Sequence, residues 1–482
     1  MGSPRCHAAL LPAALCLALA ACAAGPEYKP PVAAAPDSWQ SVWPAGGLQA
    51  DIGGWWATFD DPNLSRLVDA AQKDSPSLAQ AWAAIGKARA TLTTDRAAGL
   101  PSVSAGSSFE RARTQGGSSN AYSVANTRSV DVAPSWDIDL FGKSRRNVAA
   151  ARARIAEREA DWHNTRIALA AEVADDYVQY RGCRQLVDAY ERSARSAAET
   201  ARVTAIAVKA GLSPASDGDL ANASEGSSRS SLHAQQLQCV LLVKSLVALT
   251  GLAEPTLRAL LDAPGLPALP RPASLVVPSV PADALRGRPD LAALEREVAA
   301  TSEEIGAAVA DRYPTLSLTG LITLAASAGA TATTWSFGPG LSATLFDAGK
   351  GRAAVDSARA SYDSAVASYQ DGVRTAVKDV ERALAELDSA AHREEDARMA
   401  ADGYQRSLRA TEVLWRAGNT DLLSLEETRR SAISAEVDLI SLRQARVQYW
   451  IALHKALGGG WRADLPAQRP QVVVASPAPT SE

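Results

Sequence analysis

Histidine and cysteine are scarce, five of each in 482 residues, and the scarcity excludes a good deal of chemistry. Beyond the first 22 residues only His163, His233, His392 and His454 remain, isolated on helical stretches with no pair at metal-ligand spacing. Neither a nucleophile elbow nor a phosphate-cradling glycine loop is present. The chain therefore reads as no enzyme, with no metal and no cofactor. A formal charge of only −4 gives it no attraction to nucleic acid. After the N-terminal stretch there is no uninterrupted apolar run of about 18 residues, so a transmembrane helix is not expected. A membrane crossing would then need strands closed into a barrel.

The first 21 residues read as a signal peptide: a basic start at Arg5, an apolar stretch over 8–21, and Leu19-Ala20-Ala21-Cys22 at its end. Small residues before a cysteine fit a lipoprotein cleavage site, which makes Cys22 the expected lipid attachment point and the mature N-terminus. An ordinary secretory signal is the plainer alternative. Its removal takes Cys6 and Cys16 with it and leaves Cys22, Cys183 and Cys239. One acylated cysteine and one pair suit an oxidising compartment.

An internal repeat organises the rest. Gly142-Lys143 recurs as Gly349-Lys350, Ala210-Gly211 as Ala417-Gly418, and Leu249-Thr250-Gly251 as Ala456-Leu457-Gly458, each 207 residues on. Pro76-Ser77-Leu78 and Pro101-Ser102 recur as Pro289-Asp290-Leu291 and Pro314-Thr315, each 213 residues on. The spacing divides the chain into an N-terminal lipid-anchored segment (22–75), a first repeat (76–251), a Pro-rich connection (252–288), a second repeat (289–458) and a tail (459–482).

Each repeat carries the same elements. A helix over 78–100, or 291–313, lies between prolines. Two alternating stretches follow, expected as strands at about 102–112 and 128–140, and at about 315–325 and 333–346. In the first repeat Val130, Val132, Pro134, Trp136, Ile138 and Leu140 share one face, and Ser129, Asp131, Ser135, Asp137 and Asp139 the other. Asp131, Asp137 and Asp139 are candidates for a lumen wall. Then come helices over 144–209 and 351–416 whose apolar residues step by threes, fours and sevens, the spacing of a coiled-coil seam. Sixty-six residues rise roughly 100 Å.

Gly211 and Gly418 end the two rods as left-handed caps. Returning helices restart after them, with Ser213-Pro214 expected as N-cap and first helical residue, and Thr420-Asp421 in the same role. Cys183 and Cys239 each lie 28 residues from Gly211, which sets both at one level of an antiparallel hairpin and predicts a disulfide. The turns Ala210-Gly211-Leu212 and Ala417-Gly418-Asn419 are candidate docking points, since Leu212 would be an exposed apolar knob.

Several segments resemble the TolC/OprM outer-membrane factors, in the lipidated branch that serves RND (resistance–nodulation–division) pumps. They are residues 136–143 (Trp-Asp-Ile-Asp-Leu-Phe-Gly-Lys), Arg286-Gly287-Arg288-Pro289-Asp290-Leu291, Ile305-Gly306-Ala307-Ala308, Tyr313-Pro314, Phe346-Asp347-Ala348-Gly349-Lys350 and Ala456-Leu457-Gly458-Gly459-Gly460-Trp461. The resemblance implies a mainly α chain with transmembrane β, a homotrimer closing a 12-stranded β-barrel continued by a periplasmic α-helical barrel. It implies an efflux channel in the outer membrane, in contact with its lipid, that conducts passively for an inner-membrane RND transporter and a periplasmic adaptor (membrane fusion protein). The adaptor would meet the two turns, and Leu423 and Glu427 would form the periplasmic gate. This chain has Asn419 where family tips have Leu, and Glu427 where the compared relative has Asp. A periplasmic adaptor, a structural helical lipoprotein and a type I protein-secretion channel stay as alternatives. Two strand pairs, one before each hairpin, speak against the first two.

Overall fold

The computed structural model describes residues 25–32, 35–36, 38–41, 52–115, 122–263, 269–270, 285–327 and 329–469. The signal peptide, Cys22 and the end of the tail lie outside the described residues. In chain order, a 3-10 helix (Ile52–Phe59) precedes α1 (Pro62–Lys73), α2 (Pro76–Ala98), β1 (Ser102–Gln115), β2 (Tyr122–Ile138), α3 (Lys143–Lys209), α4 (Ala215–Thr250) and α5 (Glu254–Leu261). Then follow α6 (Pro289–Ala310), β3 (Thr315–Ser327), β4 (Ala330–Ser342), α7 (Lys350–Arg416) and α8 (Leu422–Ala456). The fold is mainly α with one sheet. Two compact units divide it: Ala83–Glu159 and Ala292–Gln370 with the chain up to Val32, and Ala33–Trp82, Ala160–Leu291 and Asp371 onward.

The first unit holds a four-stranded antiparallel sheet in the order β1-β2-β3-β4. Strand bounds differ from the sequence reading. β2 starts at Tyr122 because β1 runs on to Gln115 and pairs with it. β4 stops at Ser342, short of 346, because its last partner is Thr315, the residue after Pro314. Past 342 there is no neighbouring strand among the described residues, and the Asp347 carboxylate instead accepts the amides of Gly349 (2.8 Å) and Gly351 (2.7 Å), opening α7. Pro134 has no N–H to give, and the β2–β3 ladder skips Ala133 and Pro134 before resuming at Ser135↔Thr319. At the base of the sheet the Trp136 indole donates to the Gly99 carbonyl (3.0 Å), and Phe141 stacks on Tyr313 (4.6 Å). Arg154 bridges Glu297 (2.7 Å) and Glu304 (2.8 Å), tying α3 to α6.

The second unit has a buried core around Trp55, Phe59, Leu64, Leu67, Tyr177, Leu246 and Leu257. Asp61 caps α1 by accepting the amides of Asn63 (3.0 Å) and Leu64 (3.3 Å), while its other oxygen accepts the Tyr177 hydroxyl (2.8 Å). One carboxylate thus fixes the entry of α1 and its seat on α3. Tyr180 donates to Asp262 (2.9 Å), and burial, with that bond, pushes its hydroxyl up to about 12. His454 stacks on Trp55 at 5.1 Å, and burial holds its imidazole down to about 4. Residues 224–231, rich in Ser and a poor helix former, are helical throughout within α4. Tertiary contact outweighs propensity there, since the Ser224 hydroxyl donates to Glu426.

Counting uninterrupted apolar residues predicts no helix able to cross a membrane. Among the described residues, however, α4 contains an 18-residue window of mean hydropathy 1.3. Gln, Ser and a single Lys, Lys244, interrupt the run there. Cys239 on α4 is bonded to Cys183 on α3, with Cα atoms 5.7 Å apart, which holds α4 in a hairpin.

Candidate functional site

Register gives the sheet two unlike faces. Pairs such as Val103↔Pro134, Phe109↔Arg128, Val132↔Ile322, Trp136↔Leu318, Ile322↔Trp335 and Leu316↔Leu341 all fall on one side. That side is apolar yet open: Val130 is 54%, Ile322 53%, Trp335 78% and Leu341 72% exposed. The opposite side pairs Ser108↔Ser129, Asp131↔Thr323, Asp137↔Ser317 and Thr319↔Gly338, with Leu321 the one large apolar exception. Its hydroxyls bond across strands, Ser108 to Ser129 at 2.8 Å and Thr114 to Ser123 at 3.0 Å. A sheet apolar on one side and hydroxylated on the other suits lipid against the first and water against the second. Counted from Ile138 to Val130, the apolar side extends roughly 27 Å along the strand, or about 21 Å in height at the tilt of membrane barrels.

Asp131 and Asp137 stand on the polar side, as expected. Asp139 does not. It follows the last residue of β2, and its carboxylate accepts the Arg145 amide at 3.0 Å, so it serves the start of α3. Sequence alternation could not tell the strand's last residues from the turn that follows.

In the second unit, the two turns share one backbone geometry. Gly211 and Gly418 both have φ +75, and a Cβ at either would meet nothing within 4 Å, so conformation alone favours glycine. Leu212 N bonds Ala207 O and Asn419 N bonds Leu414 O, each at 2.8 Å, closing the same cap on both rods. Ala210, Ala417 and Asn419 are exposed, and Leu212 is 82% exposed. The restarts differ from the sequence reading. Pro214, with ψ 153, is itself the N-cap of α4 and no side chain caps it, so Ser213 plays no such part. In the other turn Asp421 is the cap, accepting the Ser424 amide at 2.6 Å.

Leu423 (54% exposed) and Glu427 sit one turn apart on the same exposed face of α8. Beside them lies a buried cluster that sequence reasoning missed. Glu426 accepts from Ser224 and from Arg429, and Arg429 also donates to Ser196 (3.1 Å) and Thr200 (2.8 Å) on α3. Ser196 donates in turn to Glu412 (3.0 Å) on α7. The opposite charges three residues apart on one helix were the available signal. Nearby, Leu422 and Leu425 pack with Ala201 and Ala221.

Among the described residues no group of His, Cys, Asp and Glu is arranged to hold a metal ion. Gly25, three residues after Cys22, runs so close to α6 that an added Cβ would lie 2.4 Å from Gly306 Cα.

A family model described as outer membrane efflux protein matches residues 67–252 and 280–459. Nodulation protein T of Rhizobium leguminosarum bv. viciae is 28% identical over 468 residues, covering 96% of this chain and 95% of its own. Outer membrane protein OprJ of Pseudomonas aeruginosa is 30% identical over 458 residues, covering 93% and 95%. Among solved structures, a membrane protein from Pseudomonas aeruginosa superimposes with a TM-score of 0.81 at 29% identity, covering 91% of this chain and 98% of that one.

Proposed function

The chain belongs to the outer membrane efflux protein family, and from that premise we propose how its parts conduct solute out of the cell. It is an outer-membrane efflux channel, of a family of channels rather than enzymes. The observation that carries the reading is the one-sided sheet: four paired strands, an open apolar face, and edges β1 and β4 without a partner strand among the described residues. Four strands cannot enclose a pore, since bacterial membrane barrels need at least about eight. Three copies pairing β4 to β1 close twelve and remove every edge. The polar face then lines the lumen, where Asp131 and Asp137 favour cations.

The long helices of three copies continue the passage through the periplasm. An inner-membrane RND transporter supplies the energy and, with a periplasmic adaptor, completes the path. The adaptor meets the turns at Gly211 and Gly418, more strongly at the first, where Leu212 offers apolar surface that Asn419 lacks. Leu423 and Glu427 narrow the periplasmic end, and the buried Glu426–Arg429 pair holds α8 in that posture. Cys22 carries lipid: three residues reach at most about 11 Å, so Gly25 against α6 keeps the acyl chains near the helix that leads into β3. The Cys183–Cys239 bond braces the α3–α4 hairpin, as an oxidising compartment permits.

In planar bilayers the purified chain gives discrete conductance steps, which grow in Leu423→Ala and Glu427→Ala. Equal steps in all three proteins discard the gate, and no steps at all discard the channel. In cells lacking the native copy, Leu212→Ser reaches the outer membrane but crosslinks weakly to adaptor and leaves the cells drug-sensitive. Wild-type crosslinking and resistance in that variant rule out docking through this turn.

A further inference from the structure

The apolar side of the β1–β2 hairpin changes character towards its far end. There Arg128 stands opposite Phe109, Arg111 opposite Asn126, and Arg113 opposite Val124. All three arginines are exposed. The Arg113 guanidinium lies 3.8 Å from the centre of the Tyr122 ring and that of Arg128 5.7 Å from the Phe109 ring, contacts that hold a planar cation against an aromatic face. No acid shares this side of the hairpin among the described residues: Glu110 and Asp131 have the opposite parity and stand with the serines. The cluster is local as well. At the level of Arg128 the neighbouring strands offer Ala326 and Thr331.

Height decides what such a cluster meets. Arg128 is ten residues from Ile138 at the helix end of β2, roughly 34 Å along the strand and about 25 Å in height at barrel tilt. An apolar band of a membrane barrel is about that tall. The arginines therefore begin where hydrocarbon gives way to headgroups, on the lipid side of the sheet and at the end away from the helices. Their aromatic partners are the residue types of an interfacial belt.

We propose that Arg111, Arg113 and Arg128 form a binding surface for the phosphates of outer-leaflet glycolipid, of the lipid A type. Guanidinium forks match phosphate oxygens in pairs, and three of them without a competing carboxylate complement a diphosphorylated headgroup. Lipid bound there covers a hairpin face that is exposed among the described residues. The proposal rests on the sheet being inserted in the membrane with its hairpin ends outward.

The test titrates full-length protein in detergent with diphosphorylated lipid A and with the same glycolipid stripped of phosphate, counting bound lipid by native mass spectrometry. Wild type binds the phosphorylated form preferentially and loses it as salt is raised. Arg111→Gln/Arg113→Gln/Arg128→Gln binds it roughly a hundredfold more weakly, the combined effect of three charges at an anionic lipid surface. The corresponding triple Lys variant keeps charge and recovers part of the binding. If the triple Gln variant fails to assemble, the three single Gln variants decide, each losing severalfold. Wild-type binding in the Gln variants, equal affinity for the phosphate-free lipid, or equal competition by inorganic phosphate overturns the proposal. Failure of wild type to insert into vesicles would instead strike the membrane-sheet reading, which separates the two.

Discussion

Tryptophan has opposite fates in the two units. Trp335 on β4 is 78% exposed, and Leu341 on the same face 72%, whereas Trp55 has no exposed surface. The two side chains are alike, so the difference lies in the medium each faces. Trp55 lies among Phe59, His454 and Trp56, with ring centres 5.1 to 5.8 Å away, and packs as a core residue in water does. Trp335 belongs to a continuous apolar band that would be a liability in water and is the solvent-facing surface in lipid. One chain is thus built for two solvents, inside out in the sheet relative to the helical core.

The sharpest way to break this comparison is to remove bulk from the buried side. Trp55→Ala leaves a cavity against Phe59 and His454 and costs ~3–5 kcal/mol, read as a lower urea midpoint of the second unit's transition. A midpoint unchanged from wild type would mean that the site collapses or is not a core. Next in size is a charge placed on adjacent residues of β3. Ile322→Arg, on the lipid side near mid-height, costs ~2–4 kcal/mol of barrel stability, while Thr323→Arg on the lumen side costs little and shifts ion selectivity. Equal losses from both would erase the distinction between faces.

The smallest effect concerns a buried carboxylate under the sheet. Burial pushes Glu157 up to about 7, with repulsion from Glu297 adding to it, although Arg158 lies 3.0 Å away. Its folded pKa stands above the ordinary value, so the fold holds a proton that the unfolded chain releases. Stability therefore falls as pH rises from about 4.5 to about 7. Glu157→Gln removes that slope and gains ~1–2 kcal/mol at neutral pH, less than the shift alone suggests because solvent screens part of the charge. Melting curves at pH 5 and pH 8 check the sign: an identical slope in variant and wild type would refute it.

The comparison also explains which features were legible. Alternation in β1 to β4 was readable because a strand puts successive residues on opposite sides, whatever solvent lies beyond them. The long rods were readable for the same kind of reason: α3 and α7 start and stop within a residue of the periodic stretches, since charge, seam and terminal glycine agree. Legibility failed at boundaries. Leu345 continues the alternation of β4 but has no partner strand and is 97% exposed. Ser213 looks like a cap, yet the φ of Pro214 and its extended ψ put the cap one residue later. The Glu426–Arg429–Thr200 cluster joins α8 to α3 over 229 residues of chain, and no local pattern announces such a contact.

By itself, the sequence determined the order of helix and strand and the residues at both turns, while recurring motifs gave the two-fold plan and carried the resemblance to the family. Helix, strand and turn depend on local periodicity or on residues within one turn of each other, where backbone geometry leaves few choices. Tertiary structure decided the rest. Register gathered Arg111, Arg113 and Arg128 on one side of the sheet, and the turn after β2 drew Asp139 to the start of α3. Packing buried His454 on Trp55 and set Arg429 against Ser196 and Thr200 of α3. Those outcomes depend on which strand or helix arrives opposite, and residues far apart in the chain settle that by burying the most surface and satisfying the most polar groups.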